Sequence, residues 1–253
     1  MMRKERLDKI VKLVNEEGDI SVKTLSNRLS SAESTIRSDL NHLDKLGLIK
    51  RIHGGASSIE KKSNEYMYFE NRLATAIQEK KYMAKLAMDF VENNDSIALD
   101  GSTTCYELAK LINASDLKLN IITNGIMVSQ VFQNNPKIIT TLIGGTISYE
   151  SLSTSGTLGI ELLDKININT YFFSSRALDQ DGFTDFNLQE VLLKKAIIER
   201  SQKSIALVDH TKFDSKSLAN ICGVGEADYL ITDKKINKDT FEKYKQISKN
   251  LIR

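Results

Sequence analysis

Residues 24–56, TLSNRLSSAESTIRSDLNHLDKLGLIKRIHGGA, decide the fold of the N-terminal part of the chain. Apolar side chains recur in this stretch at intervals of three or four, at Leu25, Leu29, Ile36, Leu40, Leu43 and Leu46. This spacing is typical of helices with one buried face, so it predicts two short helices joined by a turn. Gly47 is expected to stop the second helix. The residues after it, LIKRIHGG, predict a strand and a tight glycine turn, which together are called the wing below.

The second predicted helix keeps a polar face opposite its leucines. Short hydrogen-bonding side chains surround one arginine on that face, at Ser34, Thr35, Arg37, Ser38 and Asn41. A face of this composition can enter the major groove of DNA and contact base edges. Lys50 and Arg51 of the wing suit phosphates, and His53 completes the predicted DNA-binding set. An alternative function for the same surface is contact with another protein.

A first helix and a domain boundary follow from the flanking residues. Leu7, Ile10 and Val14 place one apolar stripe on a helix from about residue 3 to 17, and Ile20 predicts a short strand that pairs with the wing. Polar residues without periodicity begin near residue 57. The sequence therefore predicts a winged helix-turn-helix domain over residues 1–58, a linker over 59–75 and a second domain over 76–253.

The second domain shows a different pattern, in which short apolar runs alternate with amphipathic segments. Strands are expected at 96–99, 119–123, 138–143, 170–173, 205–208 and 229–232, and helices at 79–91, 104–112, 126–132 and 188–201, before a closing lysine-rich helix. This alternation is typical of βαβ units on a mostly parallel sheet. The strands are continuously apolar, which indicates burial on both faces. The fold class is therefore α/β.

Polar and glycine residues follow these predicted strands directly. They are Asp100, Gly101, Ser102, Thr103, Thr104, Thr123, Asn124, Gly144, Gly145, Asp209 and Lys212. Ligands of open parallel sheets bind beyond the carboxyl ends of the strands, and a loop that leads into a helix attracts anions. The pattern thus predicts a phosphate site, although the same residue types also form ordinary loops. Lys212, or Lys194 on the helix at 188–201, is expected to supply the point charge, and Asp100 and Asp209 to hold sugar hydroxyls.

Composition limits the remaining possibilities. The net charge is only +2, but residues 1–62 hold 13 lysines and arginines against 9 acidic residues, while the other 191 residues hold 22 against 24. Cys105 and Cys222 are the only cysteines, and with three histidines they match no metal site, so we expect no metal and two reduced thiols. No apolar run approaches the roughly 20 residues of a spanning helix, which predicts a cytoplasmic protein without a membrane partner.

Two runs in the N-terminal part, TIRSDL (35–40) and HGGA (53–56), resemble the winged helix-turn-helix of the DeoR family of bacterial transcription regulators. The resemblance continues with DGSTT (100–104), TN (123–124), GG (144–145), GFT (182–184), Glu190 with Lys194, and DHTKF (209–213), which look like the sensor domain of that family. The family's sensor domain resembles ribose-5-phosphate isomerase and binds phosphorylated sugars. Two departures stand out. Ser38 replaces a usual second arginine, which implies a different operator, and SSR (174–176) replaces small residues with glycine, which implies a different sugar.

The resemblance implies a repressor of a sugar-metabolism operon that releases its operator DNA when a phosphorylated sugar, and no other cofactor, binds the second domain. Two recognition helices at neighbouring half-sites require more than one copy, so we expect a homodimer or homotetramer. The competing hypothesis is a sugar-phosphate isomerase with an appended helix-turn-helix, in which Glu190, Asp100 or Asp209 acts as the base. We expect no catalytic residues, because a binding site needs these same groups.

Overall fold

A computed structural model describes residues 3–45, 48–57, 69–148 and 151–253 of the chain. The chain divides into two compact units, Met1–Glu65 and Tyr66–Arg253. The expected helix stop at Gly47 and residues 59–68 of the predicted linker lie outside the described residues.

The first unit contains three helices and a small antiparallel sheet. The helices are α1 (Arg3–Glu17), α2 (Val22–Arg28) and α3 (Glu33–Lys45), and the strands are β1 (Asp19–Ser21), β2 (Lys50–Ile52) and β3 (Gly55–Ser57). The strand order is β1-β3-β2, and Ile20 lies opposite Ala56. The predicted pairing of a short strand at Ile20 with the wing is therefore confirmed. Gly54 closes the wing at φ +82°, a conformation that favours glycine.

The apolar stripes of this unit form one core. Leu25, Ile36, Leu40 and Leu43 are buried, as their spacing predicts. The acidic residue Asp39 of α3 is also buried, and its carboxylate accepts a hydrogen bond from Arg6 Nε of α1 at 2.6 Å and pairs with Arg3 at 3.5 Å. Helix α3 is thus fixed to α1 by charge as well as by packing.

The second unit has seven helices and twelve strands among the described residues. The helices are α4 (Phe69–Ala74), α5 (Ile77–Ala87), α6 (Thr103–Asn113), α7 (Ile126–Val131), α8 (Ile160–Leu163), α9 (Leu188–Arg200) and α10 (Lys238–Ile247). The strands are β4 (Ser96–Leu99), β5 (Leu119–Thr123), β6 (Ile138–Leu142), β7 (Thr146–Ser148), β8 (Ser153–Ser155), β9 (Ile168–Phe173), β10 (Ala177–Asp179), β11 (Gly182–Asp185), β12 (Ser201–Leu207), β13 (Ala219–Cys222), β14 (Tyr229–Ile231) and β15 (Leu251–Ile252).

Seven of these strands form one parallel sheet in the order β15-β14-β12-β9-β4-β5-β6. Two clusters of buried apolar side chains cover the sheet, which confirms the expected α/β class with strands buried on both faces. Because β12, β9 and β4 are neighbours at the centre, their carboxyl ends meet at one place. The hairpin β7–β8, the small sheet β10-β11-β13 and the edge strand β15 were not predicted.

The segment 69–74 corrects the predicted linker. It forms α4, and the side chain of Phe69 is buried with its ring edge-to-face on Tyr106 at 5.6 Å. A helix of six residues is too short to show a periodic stripe, so its polar composition alone suggested a linker.

Candidate functional site

A cavity of about 520 Å³ opens at the carboxyl ends of the three central strands of the large sheet. Its walls come from the loops after β4, β9 and β12, from α4 and α5, and from the start of α9. Nine predicted effector residues line it: Asp100, Gly101, Ser102, Thr103, Thr104, Glu190, Lys194, Asp209 and Lys212. The structure thus brings these nine residues together at one cavity.

The loop after β4 is shaped by close packing and by a helix cap. A Cβ atom on Gly101 would lie 2.7 Å from the Cβ of Ser153, and one on Gly125 would lie 2.8 Å from the Cα of Gly101. Only glycine fits at both positions. The Ser102 hydroxyl accepts a hydrogen bond from the backbone N–H of Cys105 at 3.1 Å and so caps α6. The positive end of this helix therefore faces the cavity.

Lys194 lies on the wall formed by α9 and is fully engaged by the protein. Its Nζ donates to the Ser174 carbonyl at 2.7 Å and to Asp185 Oδ2 at 2.8 Å, and it lies 3.3 Å from Asp100 Oδ2. Burial alone lowers the pKa of this ammonium, but the carboxylates of Asp185 and Asp100 outweigh it and raise the pKa above its usual value. Lys194 and Lys212 were both considered as the phosphate-binding cation. Lys194 instead bonds to groups at the strand ends and stabilises them.

The two aspartates expected to hold sugar hydroxyls also have protein partners. Asp100 accepts from the backbone N–H of Ser102 at 2.9 Å and of Ser174 at 2.8 Å, one on each oxygen. Asp209 accepts from the N–H of Thr211 at 3.0 Å and caps the 3-10 turn His210–Lys212. Both carboxylates are buried, so they shape the cavity wall before any ligand arrives.

Another part of the cavity lining carries cations with few partners. On Arg72 of α4, the atoms Nε and Nη2 are buried without a hydrogen-bond partner among the described residues. Burial lowers the pKa of Arg72, while the carboxylates of Glu190, Asp185 and Asp100 act in the opposite direction. Lys212 has no ion pair in the described ranges, and burial lowers its pKa.

Lys80 of α5 completes this cationic wall. Its Nζ donates to the carbonyls of Thr75, at 2.7 Å, and of Arg72, and thereby holds the end of α4. Burial, reinforced by the positive charge of Lys212, lowers the pKa of Lys80 to about 8. Arg72, Lys80 and Lys212 are called the cationic wall below, and Lys194 with Asp100 and Asp185 the paired wall.

Four predicted effector residues do not line the cavity. Asn124 donates from Nδ2 to the Thr154 carbonyl at 2.8 Å, and the hydroxyl of Thr123 accepts from the Gly125 N–H at 3.0 Å. Gly144 and Gly145 lead into the hairpin β7–β8, where a Cβ on Gly145 would lie 2.5 Å from the carbonyl oxygen of Ser155. The unpredicted hairpin thus covers the ends of β5 and β6.

Sequence reasoning missed several lining residues, among them Arg72, Lys80 and Asp185, and it noted Ser175 only as part of the SSR run at 174–176. Arg72 and Lys80 precede the first strand of the sheet, so no rule about strand ends points to them. Asp185 ends the GFTD run of β11, and in the sequence a single acidic residue at this position looks like an ordinary turn residue. Only the tertiary fold brings these side chains to Lys194 and Lys212.

The predicted DNA-reading face is exposed on α3. Ser34, Arg37, Ser38 and Asn41 are exposed and Thr35 is partly exposed, whereas the leucines of the helix are buried. Arg37 pairs with Glu33, one turn earlier, at 3.2 Å. An exposed pair of this kind contributes little stability, so Arg37 can exchange it for a base at low cost.

The two wing residues that were predicted to contact phosphates, Lys50 and Arg51, differ in their exposure and their hydrogen bonds. Lys50 and the predicted residue His53 are exposed. Arg51 instead donates from Nη1 to the Gly55 carbonyl at 2.8 Å, and its N–H donates to Asp44 Oδ1 at 2.8 Å. Arg51 thus braces the wing, which makes Lys50 the better placed cation for a DNA phosphate.

No group of three or more His, Cys, Asp and Glu side chains suited to a metal ion occurs in the described part of the chain. Within those ranges, no helix is long and apolar enough to cross a membrane.

A winged helix-turn-helix in one chain with a charged, ligand-sized cavity defines a class of protein, the DNA-binding regulators with a sensor domain. Family models agree in both parts. Residues 6–62 match the DeoR-like helix-turn-helix domain, and residues 75–234 match the DeoR C terminal sensor domain. The chain therefore belongs to the DeoR family of transcriptional regulators.

Individual relatives extend over nearly the whole chain. The HTH-type transcriptional regulator GolR of Listeria innocua is 38% identical over 95% of this chain and 94% of its own length. The lactose phosphotransferase system repressor of Streptococcus mutans is 31% identical over 92% and 93%. Among solved structures, ribose 5 phosphate isomerase A from Neisseria gonorrhoeae covers 54% of this chain and 53% of its own, with 14% identity and a TM-score of 0.41. A likeness this remote carries no conclusion about chemistry.

Proposed function

We propose that this regulator represses a sugar-metabolism operon and releases its operator when a phosphorylated sugar enters the cavity of the second unit. A relative named the lactose phosphotransferase system repressor supports the link to sugars, and the word repressor in that name supports the sign of regulation. The sugar phosphate acts as effector, and the proposal needs no other cofactor.

The observation that carries the proposal is the buried guanidinium of Arg72, whose Nε and Nη2 have no hydrogen-bond partner among the described residues. A buried charge without a partner is costly, and such a group persists where a ligand supplies the partner. Its fork of N–H donors matches the oxygens of a phosphate. Lys212 and the start of α6 add positive charge beside it. An anionic group of the ligand therefore belongs at the cationic wall.

The charge of the whole cavity indicates what kind of anion fits. Six cationic and four anionic side chains line the cavity, so the lining has a surplus of two positive charges, one of which, Lys216, also pairs with Asp179 and Asp181 outside the lining. A phosphate monoester carries close to two negative charges at neutral pH. The cavity thus matches one phosphate on an otherwise neutral molecule. Glu190, whose Oε1 accepts from the Ser153 hydroxyl at 2.7 Å, keeps acceptor capacity for sugar hydroxyls.

The DNA-binding half of the proposal rests on the exposed face of α3. We infer that Arg37 contacts a guanine and that Ser34, Thr35, Ser38 and Asn41 contact neighbouring base edges or phosphates. Lys50 and His53 contact the backbone from the wing. Two such units in a homodimer or homotetramer reach two half-sites about one helical turn apart. Light scattering that shows only a monomer would contradict this arrangement.

Release of DNA requires that the effector binds one state of the protein better than the other. A coupling free energy of about 1–3 kcal/mol changes operator affinity about 5–150-fold, which is sufficient for regulation. Two linked half-site contacts amplify the effect, because a small reorientation prevents both from engaging at once.

The isomerase alternative gains no support from the cavity. Two of its three candidate bases, Asp100 and Asp209, accept hydrogen bonds within the walls described above. Incubation with D-ribose 5-phosphate and related esters is expected to yield no isomer. Turnover that disappears in Glu190→Gln would overturn the assignment as a regulator.

The experiment that tests the proposal is binding to the DNA upstream of the protein's own gene while a panel of phosphorylated sugars is titrated. We expect one ester to weaken binding, and its unphosphorylated sugar to have no effect. Arg37→Ala should weaken operator binding by about 1–3 kcal/mol without changing effector affinity. Unaltered gel shifts of a folded Arg37→Ala variant would favour a protein-contact surface instead.

A further inference from the structure

Ser175 occupies an unusual position at the end of the central strand β9. The residue is 4% exposed and lines the cavity, yet its hydroxyl oxygen is buried without a hydrogen-bond partner among the described residues. A buried hydroxyl in this state is costly, since it has lost water and gained nothing in exchange.

Hydrogen bonds fix the backbone on both sides of Ser175. Ser174 donates its N–H to Asp100 and accepts from Lys194, and the N–H of Arg176 donates to the Thr184 carbonyl at 3.0 Å. These bonds tie the loop to the paired wall and to β11. The position of Ser175 is therefore set by the fold before a ligand binds.

Ser175 differs from the other buried hydroxyls without a partner in the described part of the chain, because it lies in the cavity wall. Tyr171, Thr232 and Ser248 also have buried oxygens without a partner in the described ranges, but none of them lines the cavity. Of the unpartnered buried polar groups found there, only those of Arg72 and Ser175 lie in its wall. The Arg72 group is a charged guanidinium that donates hydrogen bonds, whereas the Ser175 group is a neutral hydroxyl.

We propose that Ser175 is a specificity-determining residue whose Oγ hydrogen-bonds an oxygen of the sugar part of the effector. This rests on the proposed function, in which the cationic wall holds the phosphate. Strand β9 lies between β12 and β4, so Ser175 sits between the two loops that bring Lys212 and the start of α6. A phosphorylated molecule bound there presents its hydroxyl or carbonyl oxygens to the end of β9. A phosphate alone does not need this contact.

The test is titration calorimetry on the full chain with a panel of pentose and hexose phosphates and with inorganic phosphate. Ser175→Ala should lower the affinity for the best-binding sugar phosphate about tenfold, and leave the affinity for inorganic phosphate within twofold. Ser248→Ala is the matched control, because it removes an equally unpaired hydroxyl outside the cavity, and it should change neither affinity. Removal of an unsatisfied group should not lower the unfolding temperature of either variant.

The outcomes separate this inference from the proposed function. If the wild type binds a sugar phosphate and Ser175→Ala binds it equally well, the role of Ser175 is wrong and the effector site stands. If the wild type binds no member of the panel, the proposed function fails and takes the role of Ser175 with it. Deoxy analogues then identify the ligand oxygen, since the loss on Ser175→Ala should vanish for the analogue that lacks it.

Discussion

The two walls of the cavity contain similar charges but use them differently. In the paired wall, Lys194 donates two hydrogen bonds and also pairs with Asp100, and the nearby carboxylates raise its pKa. In the cationic wall, Nε and Nη2 of Arg72 have no hydrogen-bond partner and Lys212 has no ion pair within the described part of the chain, and burial lowers the pKa values of both residues. The difference teaches that burial of a charge does not by itself indicate function. A buried charge with partners inside the protein, such as Lys194, stabilises the fold. A buried charge with donors that lack such partners among the described residues, as Nε and Nη2 of Arg72 do, is available to bind a ligand.

The strongest test of this contrast is removal of the paired charge. Lys194→Met should lower the free energy of unfolding by about 3–5 kcal/mol, because it leaves Asp100 and Asp185 buried without their cation. Thermal and urea unfolding of the full chain measure the change. The exposed neighbour provides the control, since Lys195→Met should alter stability by less than about 0.5 kcal/mol. Equal stability of the two variants would show that the paired wall is not structural.

The matching change in the cationic wall should act on binding and not on stability. Arg72→Gln should weaken binding of the phosphorylated effector by about 2–3 kcal/mol, because charge-assisted hydrogen bonds to phosphate are lost. Its unfolding temperature should stay the same or rise, since an unpaired buried charge is removed. Calorimetric titration and thermal unfolding of the same preparation separate the two effects. A variant that unfolds early yet binds normally would reverse the assignment of the walls.

The depressed pKa of Lys80 makes effector binding depend on pH. A phosphate dianion favours charged Lys80, so binding should be fully strong below the pKa of about 8 in the free protein and weaken as the pH rises through it. If only the charged form binds, affinity should fall about threefold from pH 7.5 to 8.5. Lys80→Gln should bind more weakly throughout and lose this dependence. A rise in affinity over the same range would contradict the predicted sign.

The same distinction applies in the DNA-binding unit, where the expected effect is smaller. Lys50 is exposed and unpaired within the described residues, whereas Arg51 is bonded to Gly55 in its own wing. Lys50→Ala should reduce the slope of operator affinity against salt concentration by about one phosphate contact. Arg51→Ala should leave that slope unchanged. A lower slope in Arg51→Ala alone would mean that the wing opens its internal bond on DNA.

Sequence periodicity sufficed for the features that depend on local pattern. It predicted the buried and exposed faces of α3, the parallel sheet, and the loops at residues 100–104 and 209–212 that reach the cavity. It failed where tertiary contacts decide. Arg72 lies on a helix too short to show a pattern, and the hairpin β7–β8 withdraws Asn124 from the cavity through its bond to Thr154. The sequence could not predict whether Lys194 or Lys212 has ion-pair partners, because only the folded chain brings Asp100 and Asp185 to Lys194.

An anion bound at the cationic wall is proposed to control the affinity for DNA, and fluorescence anisotropy with labelled upstream DNA tests this control most directly. Addition of the effector phosphate should weaken operator binding by the wild type about 5–150-fold. Arg72→Gln should bind the same DNA as tightly as the wild type and respond only at far higher effector concentrations. Release of DNA from Arg72→Gln at the wild-type effector concentration, or wild-type protein that binds the ester without releasing DNA, would contradict the account.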